Sequence, residues 1–131
     1  MYYEYVKYVL NSLLNENLIS EDKIIPMDSI VENVSNYALR PSITYGNNTD
    51  WSNVRRTEEW ILNLQFFVEH SNNLDIRKLC ENIRNHIITN CSSIKILNTI
   101  YSVNNISLSS TYNTDFKSIS VVITVESKHS Y

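Results

Sequence analysis

The stretch RRTEEWILNLQFFVEH, from Arg55 to His70, carries the alternation that decides the fold. Every second residue from Trp60 to Val68 has a large apolar side chain, which is typical of one buried face of a β-strand. The intervening and following residues mix apolar with polar side chains, in the order Ile61, Asn63, Gln65, Phe67 and Glu69. The pattern predicts a long strand over residues 58–70 that buries one face and leaves the other partly covered by a neighbouring subunit.

Two other stretches have the periodicity of amphipathic helices. Residues 2–18 place apolar side chains at three- and four-residue spacing, opposite polar residues such as Glu4 and Lys7. Residues 74–88 follow a turn and form a second apolar stripe, which includes Cys80. Because each helix is apolar on one side only, both are expected to pack on the apolar face of one sheet.

Much of the remaining chain alternates like shorter strands. Residues 106–113 and 117–126 alternate on either side of a short polar turn, which predicts an antiparallel hairpin. Residues 42–45 are expected to form a strand, and residues 93–101 a strand or a linker.

Three segments are less regular. Residues 23–27 contain Pro26 and predict an edge strand or an extended connector. Residues 29–39 fit a short helix or an irregular strand, and we expect extended or mixed structure, while residues 127–131 are expected to be loose. Together the segments predict one α+β domain over residues 1–131. It has two layers: a mostly antiparallel sheet packed by an N-terminal helix and by a second helix after the long strand.

The composition is that of a globular protein, because 43% of the residues are hydrophobic and 19% are charged. No apolar run approaches the roughly 20 residues of a membrane helix, so no membrane partner is expected. The net charge is −3 and the basic residues are dispersed, which disfavours a basic nucleic-acid-binding surface.

Glycine is almost absent, since Gly46 is the single glycine in 131 residues. Phosphate-binding loops, dinucleotide fingerprints and nucleophile elbows that depend on glycine are therefore excluded. Asparagine tolerates a positive φ, so we expect the asparagine pairs of the chain to form turns. These pairs occupy positions 47–48, 72–73 and 104–105.

No combination of residues predicts a catalytic, metal or cofactor site. Cys80 and Cys91 have no zinc-like spacing to a histidine and are expected to be reduced thiols, with a disulfide as the alternative. The three histidines lack a partner at triad spacing and are expected to be solvated. Glu58 and Glu59 are expected to be surface charges or members of inter-subunit ion pairs. We therefore predict a non-enzymatic protein without a cofactor.

Candidate contact residues fall in two places. Residues 46–57, GNNTDWSNVRRT, predict a polar loop in which Trp51 fits either packing on its own core or docking on a partner. Arg55 and Arg56 in the same loop fit either solvent or a protein contact. The second place is the mixed face of the long strand, with Asn63, Gln65, Phe67 and Glu69.

The order of elements resembles that of the tail terminator proteins of long-tailed bacteriophages, also called tail completion or neck terminator proteins. The matching segments are the strand RPSITY, the strand EEWILNLQFFVEH, the helix LDIRKLCENIRNHI directly after it, and the closing strand DFKSISVVITVES. The resemblance covers nearly the whole chain and is one of pattern and length, because that family has no catalytic motif.

The resemblance implies a structural virion protein that forms a ring, usually a homo-hexamer, at the head-proximal end of the tail tube. Such a ring contacts the tail tube protein, ends tube polymerisation and joins the tail to the head connector. DNA passes through its lumen without sequence-specific binding, which a weakly acidic chain would permit. The protein would be made in the cytoplasm of the bacterial host and act in the virion neck. The candidate residues become candidates for inter-subunit or tube docking.

Two other interpretations remain open. The chain fits another head–tail joining protein, such as a connector stopper or neck protein, since these are also small and form rings. A mainly helical adaptor is disfavoured by the long strand and the hairpin. The chain also fits a small intracellular protein-binding module that is monomeric or dimeric.

Overall fold

The computed structural model describes residues 2–27, 37–51, 55–68, 73–112 and 117–130. Its elements, in chain order, are α1 (Tyr2–Asn15), a short 3-10 helix (Glu21–Lys23), β1 (Tyr37–Trp51), β2 (Arg55–Val68), α2 (Asn73–Asn90), β3 (Ser93–Ile96), β4 (Thr99–Tyr112) and β5 (Lys117–Ser130). The strands form one antiparallel sheet in the order β1-β2-β5-β4-β3. The predicted α+β class, with one helix at the N-terminus and one after the long strand, is confirmed.

The core lies between the two helices and one face of the sheet. The apolar alternation of β2 from Trp60 to Val68 is fully buried, as its spacing predicted. In register with it, Ile123 pairs with Leu62 in the middle of β5 and is also fully buried. The helices contribute their predicted stripes, and Tyr5, which the helical pattern did not single out, is fully buried as well.

The end of α1 has a specific backbone cause. The helix ends at Asn15, and Asn17 adopts a positive φ of 57°. The N–H of Leu18 donates to the carbonyl of Leu13 at 3.0 Å, and that of Asn17 donates to Leu14 at 3.0 Å. This pair of hydrogen bonds is a Schellman motif, which satisfies the last carbonyl groups of the helix.

The connector after α1 is extended next to the first strand. Ile24 forms an isolated parallel bridge with Leu39, and the N–H of Ile25 donates to the Leu39 carbonyl at 2.7 Å. The prediction of an extended connector is therefore confirmed at this point. The expectation for residues 29–39 is met where β1 begins at Tyr37, and the rest of that segment lies outside the described residues.

The predicted polar loop over residues 46–57 is wrong, because both flanking strands continue through most of it. β1 extends to Trp51 and β2 begins at Arg55, and Trp51 pairs with Arg56. Two register shifts, between Tyr45 and Asn48 and between Asn48 and Asp50, carry the pairing onward. Strand pairing uses backbone hydrogen bonds, which do not depend on the polarity of the side chains. The two strands can therefore continue beyond the apolar core with polar side chains.

The end of β5 also differs from the expectation of a loose tail. β5 runs to Ser130 and is paired on both sides, with β2 and with β4. Ser127 and His129 are buried there. A strand in the middle of a sheet has hydrogen-bonding partners along both edges, which explains its order near the chain terminus.

The asparagine pairs at 47–48 and 104–105 lie within strands rather than in turns, and Asn72 of the third pair lies outside the described residues. Between Val103 and Asn105 the chain makes a register shift within β4 instead of the predicted turn. Asn73 begins α2, and Asn48 lies within β1. Among the described residues, the positive-φ positions are Asn17 and Leu97, with Leu97 at 53°.

Candidate interaction surfaces

The face of the sheet that points away from α1 and α2, which we call the second face, is built mainly from small polar side chains. β1, β2, β5 and β4 are paired in register, so the residues that point to this face lie side by side across the four strands. Its central members are Ser42, Thr44, Ile61, Asn63, Gln65, Ser107, Ser109, Ser120, Val122 and Thr124. Most of them are half-buried or exposed, so the face offers short hydrogen-bonding groups rather than an apolar patch.

One corner of the second face is closed by the chain itself. Phe67 is only 5% exposed and lies in register between Ala38 and Ser118. The guanidinium carbon of Arg40 is 5.0 Å from the centroid of the Phe67 ring, and Arg40 Nη2 donates to Gln65 Oε1 at 3.1 Å. The expectation that Phe67 is an exposed apolar side chain awaiting a neighbour is therefore wrong, because Arg40 and two small flanking residues cover it.

The middle of the second face is more open. Ile61 and Asn63 are half-buried, and Asn63 pairs in register with Ser42 and with Val122. Among the described residues, the Oδ1 atom of Asn63 is buried without a hydrogen-bond donor. An unsatisfied buried polar atom of this kind costs free energy.

The other predicted contact residues fall at the strand ends. Trp51 and Arg56 are paired positions near the β1–β2 connection, and Arg55 begins β2. Their side chains, and all of Glu69, lie outside the described residues. Of the seven candidates, the structure brings Asn63, Gln65 and Phe67 together on one strand face.

A buried polar cluster, which sequence patterns did not reveal, lies on the helix-covered face at one end of the sheet. Glu58 is 3% exposed and accepts a hydrogen bond from the Tyr2 hydroxyl. Trp60 Nε1 donates to Ser127 Oγ at 2.7 Å. Glu58 was expected at the surface. It lies two residues before Trp60 in β2, so both side chains point to the same face of the sheet, and this alternation is the sequence signal for its burial.

The histidines are more enclosed than expected. His129 is 8% exposed, and its Nδ1 lies 2.7 Å from Thr99 Oγ1. His86 is half-buried, and its Nε2 lies 2.6 Å from Ser12 Oγ, which links α2 to α1. Neither histidine is a fully solvated side chain, and the third, His70, lies outside the described residues.

The cysteines are unreactive by their environment. Both are free and fully buried. Burial raises the pKa of the Cys80 thiol to about 12 and also raises the pKa of Cys91. Because the thiolate is the nucleophile, thiols held in this protonated state are poor nucleophiles. The Tyr5 hydroxyl donates to the Cys91 carbonyl at 2.7 Å. Burial raises the pKa of this tyrosine hydroxyl well above its ordinary value.

Two apolar features lie away from the second face. The first, the hairpin tip, is the two-residue turn Leu97-Asn98 between β3 and β4, where Leu97 is 85% exposed. The second, the α1 groove, is a surface cavity of about 370 Å³ between α1 and the connector that follows it. Its lining residues are Lys7, Leu10, Asn11, Leu14, Glu21, Ile24 and Pro26.

The described ranges contain no group of three side chains arranged to hold a metal ion, and no helix with the length and apolarity that crossing a membrane requires. A comparison with protein-family models finds no match to the chain, and a search of curated proteins finds none either.

Proposed function

We propose that the chain is a structural subunit of a phage neck ring. The ring caps the head-proximal end of the tail tube, ends tube polymerisation and joins the tail to the head connector. The observation that carries the proposal is the one-sided layering of the fold. Both helices cover one face of a broad antiparallel sheet, and the second face keeps half-buried polar side chains that suit a wet protein interface.

The two edges of the sheet support a ring. β1 and β3 lie at opposite edges, so the chain has different lateral surfaces on its two sides. A closed ring is built from such head-to-tail contacts, in which one surface of a subunit meets a different surface of the next. This organisation agrees with the resemblance in element order to tail terminator proteins.

Passage of DNA through the ring is compatible with the charges. The chain has a net charge of −3. A weak negative charge gives phosphate little to bind, so DNA would not be retained in the lumen. In this proposal the protein is made in the bacterial host cytoplasm and works in the virion.

The proposal is tested with purified tail tube protein from the phage that encodes the chain. Tubes are polymerised with and without the chain, and their length distribution is measured by electron microscopy. Capping should stop growth at substoichiometric amounts, and native mass spectrometry at several micromolar should detect a ring, with six subunits expected. If the tubes grow unchanged while the chain binds the head connector, the chain is a connector protein instead.

A pair of variants makes the test specific to the second face. Thr44→Arg adds one positive charge at an exposed position on this face, and Asn82→Arg adds the same charge at an exposed position on α2. The first variant should lose capping or ring formation, while the second should behave as the wild type. Equal behaviour of both variants would remove the second face from the proposal.

A further inference from the structure

A cluster of polar side chains links the end of α2 to α1. His86 Nε2 lies 2.6 Å from Ser12 Oγ, and His86 Nδ1 lies 3.1 Å from the side-chain nitrogen of Asn90. A serine, a histidine and a third polar group at these distances have the layout of a nucleophile, its general base and an orienting partner. The positions of the protons decide whether the cluster can work in that way.

The backbone of α2 fixes the direction of the Asn90 amide. Its Nδ2 atom donates to the carbonyl oxygen of His86 at 3.3 Å, and the amide oxygen does not fit there because it would face another oxygen. The same Nδ2 atom carries a second hydrogen and lies next to His86 Nδ1. Nδ1 is therefore the acceptor, and the single proton of a neutral imidazole lies on Nε2.

The proton on Nε2 sets the direction of the next hydrogen bond. Nε2–H donates to Ser12 Oγ, so the serine hydroxyl accepts from the histidine and keeps its own hydrogen. This hydroxyl also hydrogen-bonds the side chain of Cys91, which lies between α2 and β3. Because the Tyr5 hydroxyl donates to the Cys91 carbonyl, α1 is joined to the end of α2 at two points along its length.

We propose that Asn90 is a positioning residue that holds His86 in the Nε2–H tautomer, so that hydrogen bonds run in one direction from Asn90 through His86 to Ser12. In this state His86 cannot remove the Ser12 proton, and the cluster fastens α1 to α2 without activating the serine. A carboxylate in place of the amide would put the proton on Nδ1 and leave Nε2 free as a base. This assignment concerns a single subunit and holds whether or not the chain forms a ring.

NMR of the full chain with ¹⁵N-labelled histidine tests the tautomer directly. At about pH 8, where an ordinary imidazole is neutral, His86 should have a protonated Nε2 and an unprotonated Nδ1. The signals of His86 are identified by their loss in His86→Gln. A proton on Nδ1 of His86 in the wild type would overturn the assignment.

Two aspartate variants separate the hydrogen bond from the added charge. Asn90→Asp should move the proton of His86 to Nδ1, because a carboxylate only accepts. Asn85→Asp adds the same charge to α2 at an exposed position next to His86 in the sequence, and it should leave the tautomer unchanged. Equal effects of the two variants would contradict the role of Asn90.

Ser12→Ala tests which neighbour of His86 sets the tautomer. Alanine is favourable in a helix, so the variant should fold, as circular dichroism will verify. His86 should keep its proton on Nε2, because Asn90 still donates to Nδ1. A shift of the proton to Nδ1 would show that Ser12 sets the tautomer instead of Asn90.

A fluorophosphonate reagent tests the consequence for reactivity. It labels serines whose proton is removed by a neighbouring base. Mass spectrometry of the wild type should find Ser12 labelled no faster than the exposed Ser20. Labelling of Ser12 at least tenfold faster than that of Ser20 would show that His86 acts as a base and would refute the proposal.

Discussion

Replacement of Phe67 by alanine is expected to destabilise the isolated subunit strongly. The sequence places Phe67 on the mixed face of β2, where an exposed position would make the change nearly neutral. In the structure the side chain is 5% exposed and is covered by Arg40. If Phe67 is buried within its own subunit, the substitution should destabilise the monomer. If only a neighbouring subunit covered it, the stability of the monomer would hardly change.

The expected loss of folding stability follows from what the phenyl ring of Phe67 contacts. Truncation of a buried phenylalanine to alanine costs about 3–5 kcal/mol, because transfer free energy is lost and a cavity remains. The guanidinium of Arg40, 5.0 Å from the ring centroid, contributes roughly 0.5–1 kcal/mol of this as a cation–π contact. Ile61→Ala, at a half-buried position on the same face, should cost only about 1–2 kcal/mol.

The free energy of unfolding is measured by urea titration of the monomer, followed by tryptophan fluorescence, at protein concentrations below those of self-association. The slope of the unfolding free energy against urea concentration should be the same for the variants and the wild type. Differences between the midpoints of the unfolding transitions then report differences in stability. If Phe67→Ala leaves too little folded protein, Phe67→Leu provides a smaller loss of about 1–1.5 kcal/mol. A cost of less than about 1 kcal/mol for Phe67→Ala would refute the closed corner and restore Phe67 as an interface residue.

Three further outcomes are expected. Trp60→Phe should cost about 2–3 kcal/mol in urea titration, because it leaves the buried Ser127 hydroxyl without its donor, and adding Ser127→Ala should recover part of this loss. Stability should fall as pH rises above 9.0, because the Cys80 thiol of the unfolded chain loses its proton above this pH. In the folded chain burial raises the pKa of the same thiol to about 12, so the proton is retained. The slope, about 1.4 kcal/mol per pH unit, should diminish in Cys80→Ala when unfolding is measured across alkaline pH. Finally, a coloured thiol reagent should label Cys80 and Cys91 only after denaturant is added, and rapid labelling of the native protein would contradict their burial.

The core was predictable because its signals are periodic. The alternation from Trp60 to Val68 and the helical stripes identify buried faces without any knowledge of partners, since burial on one side of a regular element sets the period. The hairpin of β4 and β5 followed from the same alternation. The fold class and the side of β2 and of β5 that packs on the helices were therefore contained in the sequence.

The surfaces were less predictable, because they depend on register between distant segments. The cover of Phe67 comes from Arg40, on a neighbouring strand whose alignment periodicity does not specify. Glu58 and His129 are buried because their strands continue beyond the apolar run, where polarity suggested solvent. The exposed Leu97 has no sequence signal, since an apolar residue in an alternating segment looks like part of the core.

The position of β5 in the sheet determines how the chain can fold. β5 is the last strand in the sequence but lies at the centre of the sheet, and it joins partners as distant as Trp60 and Ser127, which are 67 positions apart. The local hairpins β1–β2 and β3–β4 can form early, but each keeps an open edge until β5 inserts between them. Contacts of such long range slow folding, and exposed edges invite aggregation in the meantime. During synthesis the ribosome releases β5 after every other strand, so the folded sheet and any assembly built on it form only after translation of this region is complete.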